Sequence, residues 1–320
     1  VTDRHYDPVD GRDPAGGPAS WQIHVAGPAP FPGSVLVAER VKTHDGPELV
    51  RRSLPPVKHP TDRARAETLL DNEIRALTRL HARYRAPVPE LPSIVGYDFD
   101  SATPFVLIEP PKGRFLDGSR TLLIDERRRF LIGLFRALAQ LAAVDLVHGS
   151  VELSSLCWDG GTAQLVNLEQ AVRTGEPSHG GAPAHPGDDV RAAGRVVHEL
   201  FTGKRIGPAD TPNLSGEPEE LATLLRDVFA PNPGDRPTAV EMLARLNDRE
   251  PLPPPVNVRS ALQRGYDRFD ALRPPHAEPG AAQPLLPPTP PRRPLLRRLF
   301  PLAVGFAIVA AATLVTLLVM

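Results

Sequence analysis

Apolar residues recur first at every second position along the chain, and later at intervals of three and four. Trp21 to Val25, Val35 to Val41 and Glu48 to Leu54 predict three strands, the first two joined by a connection rich in proline and glycine. A helix is predicted over about 61–82, where Leu69, Leu70, Ile74, Leu77 and Leu80 line one face. Ile94 to Phe99 and Phe105 to Glu109 predict two further strands, with the Asp-Ser-Ala-Thr-Pro step from Asp100 turning the chain between them. Five strands and one helix predict a small α+β unit over about 20–112.

Beyond Gly113 the helical period takes over. Residues 127–147 carry Phe130, Leu131, Leu134, Phe135, Leu138 and Leu141, a stripe broad enough for a core helix. Residues 188–203 repeat the pattern through Val190, Ala193, Val196, Val197, Leu200 and Phe201, with Gly203 as the stop signal. Two shorter helices are predicted at about 217–229 and 237–247, the second with Pro237 in its first turn. Between the two long helices lies 144–171, VDLVHGSVELSSLCWDGGTAQLVNLEQA. It predicts a loop, a strand at Leu156 to Trp158, a turn at Asp159-Gly160-Gly161, a strand at Gln164 to Asn167 and a second loop.

The two ends of the chain have a different character. Residues 1–19 are polar, with repeated Asp, Gly and Pro, and predict a disordered tail. Residues 251–298 hold thirteen prolines and predict a linker, interrupted by a weakly amphipathic segment from Val256 to Leu272. Residues 299–320 contain no charged side chain. At about 1.5 Å per residue such a helix spans a hydrocarbon core of roughly 30 Å. Arg292, Arg293, Arg297 and Arg298 stand directly before it, which predicts a single-pass C-terminal anchor in a bacterial cytoplasmic membrane with the N-terminal side in the cytoplasm.

Composition narrows the possibilities only a little. With 37 basic against 38 acidic side chains, no electrostatic case for nucleic acid arises. Cys157 is the only cysteine, which excludes an internal disulfide and a thiolate-rich metal site, and it reads as a small buried hydrophobe.

Over about 21–247 the order and spacing of elements resembles a eukaryotic-like serine/threonine protein kinase of bacteria, in degenerate form. Glu73, followed by Leu77, Leu80 and His81, looks like the helix-C glutamate and its downstream pattern. Arg52 in LVRRSL stands in the place of the strand lysine that pairs with it, and VLIEPPKGRFL resembles the hinge, with Ile108 at the gatekeeper position. Glu109 is then the first hinge residue and Pro111 the third, where proline lacks the amide that would meet an adenine. GPAPFPG, Gly27 to Gly33, replaces the glycine-rich loop and reads as a structural connection. The His-Arg-Asp triplet corresponds to His148, Gly149 and Ser150, so the base position is a serine. Glu152 takes a lysine position, Ser155 that of the metal-binding asparagine, and Asn167, Leu168 and Glu169 that of Asp-Phe-Gly. Glu152 and Glu169 read as solvated loop carboxylates. Leu77, His148 and Leu168 fit three apolar positions that link the lobes. Asp189, with Asp188 as the adjacent alternative, looks like the helix aspartate that ties the catalytic loop by its amides. Arg236 looks like the arginine that pairs with a glutamate closing the activation segment, a glutamate missing here.

The resemblance implies an α+β, bilobal protein-kinase-like fold with an N-lobe over about 20–112, a mainly helical C-lobe over about 113–250 and one transmembrane helix. Phosphoryl transfer needs a carboxylate base and Mg²⁺ held by Asp and Asn. Ser150, Ser155 and Asn167 supply neither well, so the expected function is a membrane-anchored pseudokinase, a cytoplasmic scaffold or regulator of a cytoplasmic or membrane-associated protein. The alternatives are a working serine/threonine kinase, and a nucleotide sensor in which Arg52, Glu73 and Asn167 hold the ligand. ATP or ADP is the cofactor the family implies, with Mg²⁺ poorly provided for.

Overall fold

The computed structural model of the chain describes residues 5–44, 46–84, 86–116 and 122–257. Six strands come first or nearly so: β1 Asp7–Arg12, β2 Pro18–Pro28, β3 Val37–Thr43, β4 Glu48–Ser53 and, after helix α1 Pro60–Arg83, β5 Ile94–Asp98 and β6 Phe105–Ile108. They pair antiparallel in the order β1-β2-β3-β4-β6-β5, and the pair Arg12–Tyr97 joins β1 to β5 and closes a barrel. Successive side chains point to opposite faces of a strand. Leu49, Phe105 and Leu107 therefore fill the barrel with Ile23 and Val41, while Val50, Val106 and Ile108 face outward into the main core. Arg52 has the parity of Val50 and is fully buried on that same outer side.

The rest of the described chain is helix and short hairpin. After β7 Arg114–Phe115 come α2 Ile124–Ala142, β8 Leu146–Val147, β9 Leu156–Trp158, β10 Ala163–Leu165 and β11 Val172–Arg173. Helices α3 Pro186–Thr202, α4 Glu219–Leu224 and α5 Ala239–Arg245 follow. The β9–β10 hairpin pairs Trp158 with Ala163 and is turned by Asp159, whose Oδ1 accepts from the amides of Gly161 and Thr162 at 2.7 Å each. α3 begins after His185, which accepts from the amide of Gly187 at 3.0 Å, and ends at Gly203 in the left-handed region, φ +69°. Arg136 on α2 ties three distant parts together, reaching Glu90 at 3.1 Å, Asp248 at 3.0 Å and the carbonyl of Pro251 at 3.4 Å.

Several expectations are corrected. Residues 7–12, expected in a disordered tail, form β1 and complete the barrel. The bilobal kinase-like fold is replaced by a closed six-stranded antiparallel barrel whose outward residues enter one continuous core. That core runs from Val50 and Ile108 through α1 and α2 to Val197 on α3 and Leu243 on α5. Contacts place the described residues in a single unit, Val1–Ala261. The helix expected at 217–229 is only α4, because Asp227 adopts φ +63° and breaks it. The expected linker starts docked, with Leu252 against the core and the amide of Val256 on the carbonyl of Arg83 at 2.7 Å. The membrane placement is corrected as well: among the described residues no helix is long and apolar enough to cross a membrane. The 299–320 segment and the rest of the Val256 to Leu272 segment after residue 257 lie outside the described residues.

One glycine marks where barrel-side chain meets hairpin. Gly113 sits at φ +83°, and a Cβ there would lie 2.2 Å from the carbonyl oxygen of Trp158. Gly160, at φ +99°, has nothing within 4 Å of its Cβ position. Alanine at 160 meets only backbone strain, about 1 kcal/mol, whereas alanine at 113 adds displacement of a packed backbone, about 1–3 kcal/mol more. Urea unfolding of the two variants should therefore rank Gly113→Ala well below Gly160→Ala; equal midpoints would refute the close approach.

Candidate functional site

The positions singled out around Arg52 do come together, and they do so as a closed electrostatic cluster. Nε of Arg52 lies 2.9 Å from Oε2 of Glu73 on α1, an approach off the N–H direction and so an ion pair rather than a straight hydrogen bond. Nη2 of Arg52 donates to Oδ1 of Asn167, Oε2 of Glu169 and Oγ of Ser34, each at 2.9 Å. The hydroxyl of Ser34 donates to Oε2 of Glu169 at 2.6 Å, and the amide of Val35 to Oε1 at 3.2 Å. Glu73 also accepts from the backbone amide of Leu168. Arg52, Glu73 and Glu169 are at most 1% exposed. Glu169, expected in solvent, is thus a buried partner, and Ser34 is a member that sequence did not single out.

The connection from Gly27 to Val35 folds down onto this cluster. Phe31 stacks its ring 4.4 Å from Cζ of Arg52 and meets the ring of Phe115 at 5.3 Å. At Gly33, φ +77°, a Cβ would stand 3.3 Å from Oγ of Ser154. Phosphates approaching Nη2 of Arg52 would have to displace the Glu169 carboxylate and the Ser34 hydroxyl, which already accept from it.

The loop after β8 is held from below. Oδ2 and Oδ1 of Asp189 accept from the amides of His148 and Gly149 at 2.6 and 2.9 Å. Gly149 adopts φ +75°, and any Cβ there would lie 2.8 Å from the carbonyl of Gln170. His148 is fully buried: its Nε2 meets the carbonyl of Val166 at 2.9 Å, and its Nδ1 accepts from the amide of Ser150 at 3.2 Å. Burial pushes its pKa down to about 4, so the ring is neutral and structural. Oγ of Ser155 donates to the carbonyl of Glu152 at 2.8 Å and accepts from its amide at 3.0 Å, which turns it inward as a local cap. Glu152 is exposed and 3.9 Å from Arg205. Leu77 and Leu168 are core residues, and Cys157 is fully buried in β9 with its thiol pushed up to about 12 by burial.

The remaining positions lie apart. Glu109 is exposed, its amide donates to the carbonyl of Ser93 at 3.0 Å, and it borders a 190 Å³ cavity with Leu80 and Tyr84. The Pro111–Lys112 stretch is fixed by Gln164, which accepts from the amide of Lys112 at 2.9 Å and donates to the carbonyl of Leu91 at 3.0 Å. A glutamine between Ala163 and Leu165 in an apolar strand was the signal for that role. Arg236 has a partner after all: Asp188, at 2.7 Å, with the carbonyl of Gly187 at 3.1 Å.

These residues do not fit Mg²⁺ and a nucleotide triphosphate. Asn167 and Glu169 direct their oxygens at Arg52, Ser155 faces backbone, and Ser150 carries no carboxylate. Among the described residues no group of three or more His, Cys, Asp or Glu side chains is placed to hold a metal ion. No protein-family profile matches the chain, and no curated protein matches it significantly. The kinase and membrane labels find no support there.

The cluster holds one cation against two carboxylates. Burial, offset by Arg52 and reinforced by Glu169, raises the Glu73 pKa to about 7; burial, against the two amides, raises that of Asp189 to about 7. Unfolded, Glu73 returns to 4.5, Asp189 to 3.8 and His148 to 6.5. Each carboxylate thus favours the folded chain fully in acid and loses that contribution as pH rises through about 7. His148 acts oppositely and loses its contribution as pH falls through about 4. Between the ordinary range of a carboxylate and that of histidine, the folded chain holds two of these protons and the unfolded chain one. Stability should therefore fall from pH 5 to pH 8 in chemical denaturation, and Glu73→Gln should make the slope shallower by about one proton. An unchanged slope would rule out the protonated Glu73. Arg52→Met, which strands two buried carboxylates, should cost about 3–5 kcal/mol at pH 8 and less at pH 5.

Proposed function

We propose that the protein is a non-catalytic scaffold or regulator, a degenerate relative of the eukaryotic-like serine/threonine kinases by the order of its motifs, which performs no phosphoryl transfer. The observation that carries this reading is the enclosure of Arg52 by groups of its own chain, with its hydrogen bonds made through Nη2. Its guanidinium lies within 2.9 Å of Glu73, Asn167, Glu169 and Ser34, under the ring of Phe31. A cation whose partners are all supplied by its own chain is a structural element. Arginine also differs from the lysine of a working phosphate clamp in being planar and permanently charged, which suits it to a fixed multidentate role.

Loss of chemistry at the neighbouring positions supports the same reading. The group nearest a base position is Ser150, which cannot take a proton at neutral pH. His148 next to it is neutral and has both ring nitrogens engaged. What the loop retains is a rigid shape, with Asp189 beneath it and the β9–β10 hairpin behind it. A rigid loop on a closed core is suited to presenting a surface to a partner protein.

The test is a pair of measurements on the full-length chain. Incubation with γ-labelled ATP and Mg²⁺ or Mn²⁺ should label neither the chain nor generic protein substrates. Melting temperatures should be the same with and without ATP or ADP, because only a ligand of the folded state raises them. Label transfer that Asn167→Ala abolishes would overturn the reading in favour of an enzyme, and metal-independent stabilisation by nucleotide would replace it with a sensor.

A further inference from the structure

Outside the Arg52 cluster, α3 carries two cations with no ion pair among the described residues. Arg191 and Arg195 stand four residues apart on α3 and so share one face of it. Arg191 is fixed by neutral groups: its guanidinium donates to the carbonyls of Phe229, Ala209 and Asp210 at 3.1, 3.1 and 3.0 Å. Carbonyls hold its position without cancelling its charge. Arg195 is half-buried and, among the described residues, makes no hydrogen bond and no ion pair. Burial, and then Arg191, lower its pKa, with Glu152 acting in the opposite sense.

The acids nearby leave Arg195 uncompensated. Asp188 pairs with Arg236 at 2.7 Å, and Asp189 gives both oxygens to the amides of His148 and Gly149. Glu152 lies beside Arg205 at 3.9 Å and is exposed, and Glu199, one turn beyond Arg195 on α3, lines the same surface without an ion pair to it. The surface itself is concave. A cavity of about 620 Å³ is lined in part by Gly149, Arg191 and Phe229, and a second of about 620 Å³ in part by Phe115, Glu152 and Arg205. Arg195 and Pro208 line both, so the two join at Arg195 into one groove between the 149–154 loop, α3 and the 205–211 connection.

We propose that this groove docks an acidic segment of a partner protein, with an aspartate, glutamate or phosphoserine side chain seated on the Arg195 guanidinium. Two adjoining cavities that share Arg195 offer more room than a free ion needs, and Phe229 in one and Phe115 in the other offer apolar contact to flanking side chains. The oxyanion would relieve the like-charge contact along α3 and give a planar guanidinium the bidentate acceptor it matches. The proposal rests on the non-catalytic reading only in treating the surface as a place of binding and not of turnover.

Fluorescence anisotropy of the full-length chain tests it, with three labelled peptides of equal length: one rich in aspartate and glutamate around a serine, its phosphoserine form, and a lysine counterpart. The acidic peptides should bind, the tighter of the two naming the oxyanion's source, and the lysine peptide should not. Binding should weaken as salt is raised. Arg195→Gln should weaken it at least tenfold without lowering the melting temperature, and Arg205→Gln, an exposed change, severalfold. Glu152→Gln should tighten it. No binding by either acidic peptide, or equal affinity in Arg195→Gln, overturns the proposal. Competition by inorganic phosphate as effective as by the peptide overturns the docked segment in favour of a bare ion site. Neither failure bears on the labelling experiment with ATP, whose outcome decides the non-catalytic reading separately.

Discussion

The guanidinium of Arg52 joins four segments that are distant in sequence: β4 supplies it, α1 brings Glu73, the loop after β10 brings Asn167 and Glu169, and the connection before β3 brings Ser34. The order of construction follows from strand geometry. Parity on β4 turns Arg52 to the outside of the barrel, where α1 packs, and the buried charge then demands partners from every element that closes over it. Buried ion clusters add little net stability compared with an apolar filling of the same shape. What this one does is select a single arrangement, because any other leaves an uncompensated charge in a dry core. The outer face of the barrel, the helix and the loop therefore share one core, while the barrel interior keeps its own.

Much of this was legible in the chain. The alternation of β2 to β6, the stripes of α1, α2 and α3, and the stops at Gly203 and Asp159-Gly160-Gly161 all appear as local signals, and each element formed within a few residues of its predicted bounds. The pairing of Arg52 with Glu73 followed from their motif positions. β1 was not legible, because DPVDGR has poor intrinsic strand propensity and forms by pairing along β2 and with Tyr97. The closed barrel was hidden with it. Glu169 was misread because loop carboxylates are usually solvated, and its burial is decided by how many donors a guanidinium presents. Ser34 belongs to a Pro/Gly-rich connection, and periodicity says nothing about the direction in which such a connection folds. Arg236 found Asp188 and not a glutamate, since the residue beside Asp189 already lay within reach.

The chemistry expected of such loops and the stability of this molecule draw on the same atoms. Oxygens that could have met a metal meet Arg52 or backbone, and the histidine that borders the base position is held neutral at the centre of the loop. The chain keeps a well-specified loop in which His148, Ser155 and Asn167 face inward and Glu152 faces solvent, with Arg191 and Arg195 beside it on α3.

Asp188 and Asp189 are neighbours in sequence in the first turn of α3, and each binds a different part of the chain. One carboxylate is bound to Arg236, whose guanidinium also holds the carbonyls of Ala230 and Pro231; the other is bound to the amides of His148 and Gly149. Fraying of that single turn would release two regions at once, both of which border the same cavity. In the language of amide hydrogen exchange, the loop at 148–150 and the segment at 230–236 draw protection from the same turn, although some eighty residues of chain separate them. The two regions line one of the cavities that Arg195 borders, so the start of α3 anchors the walls of that surface as well.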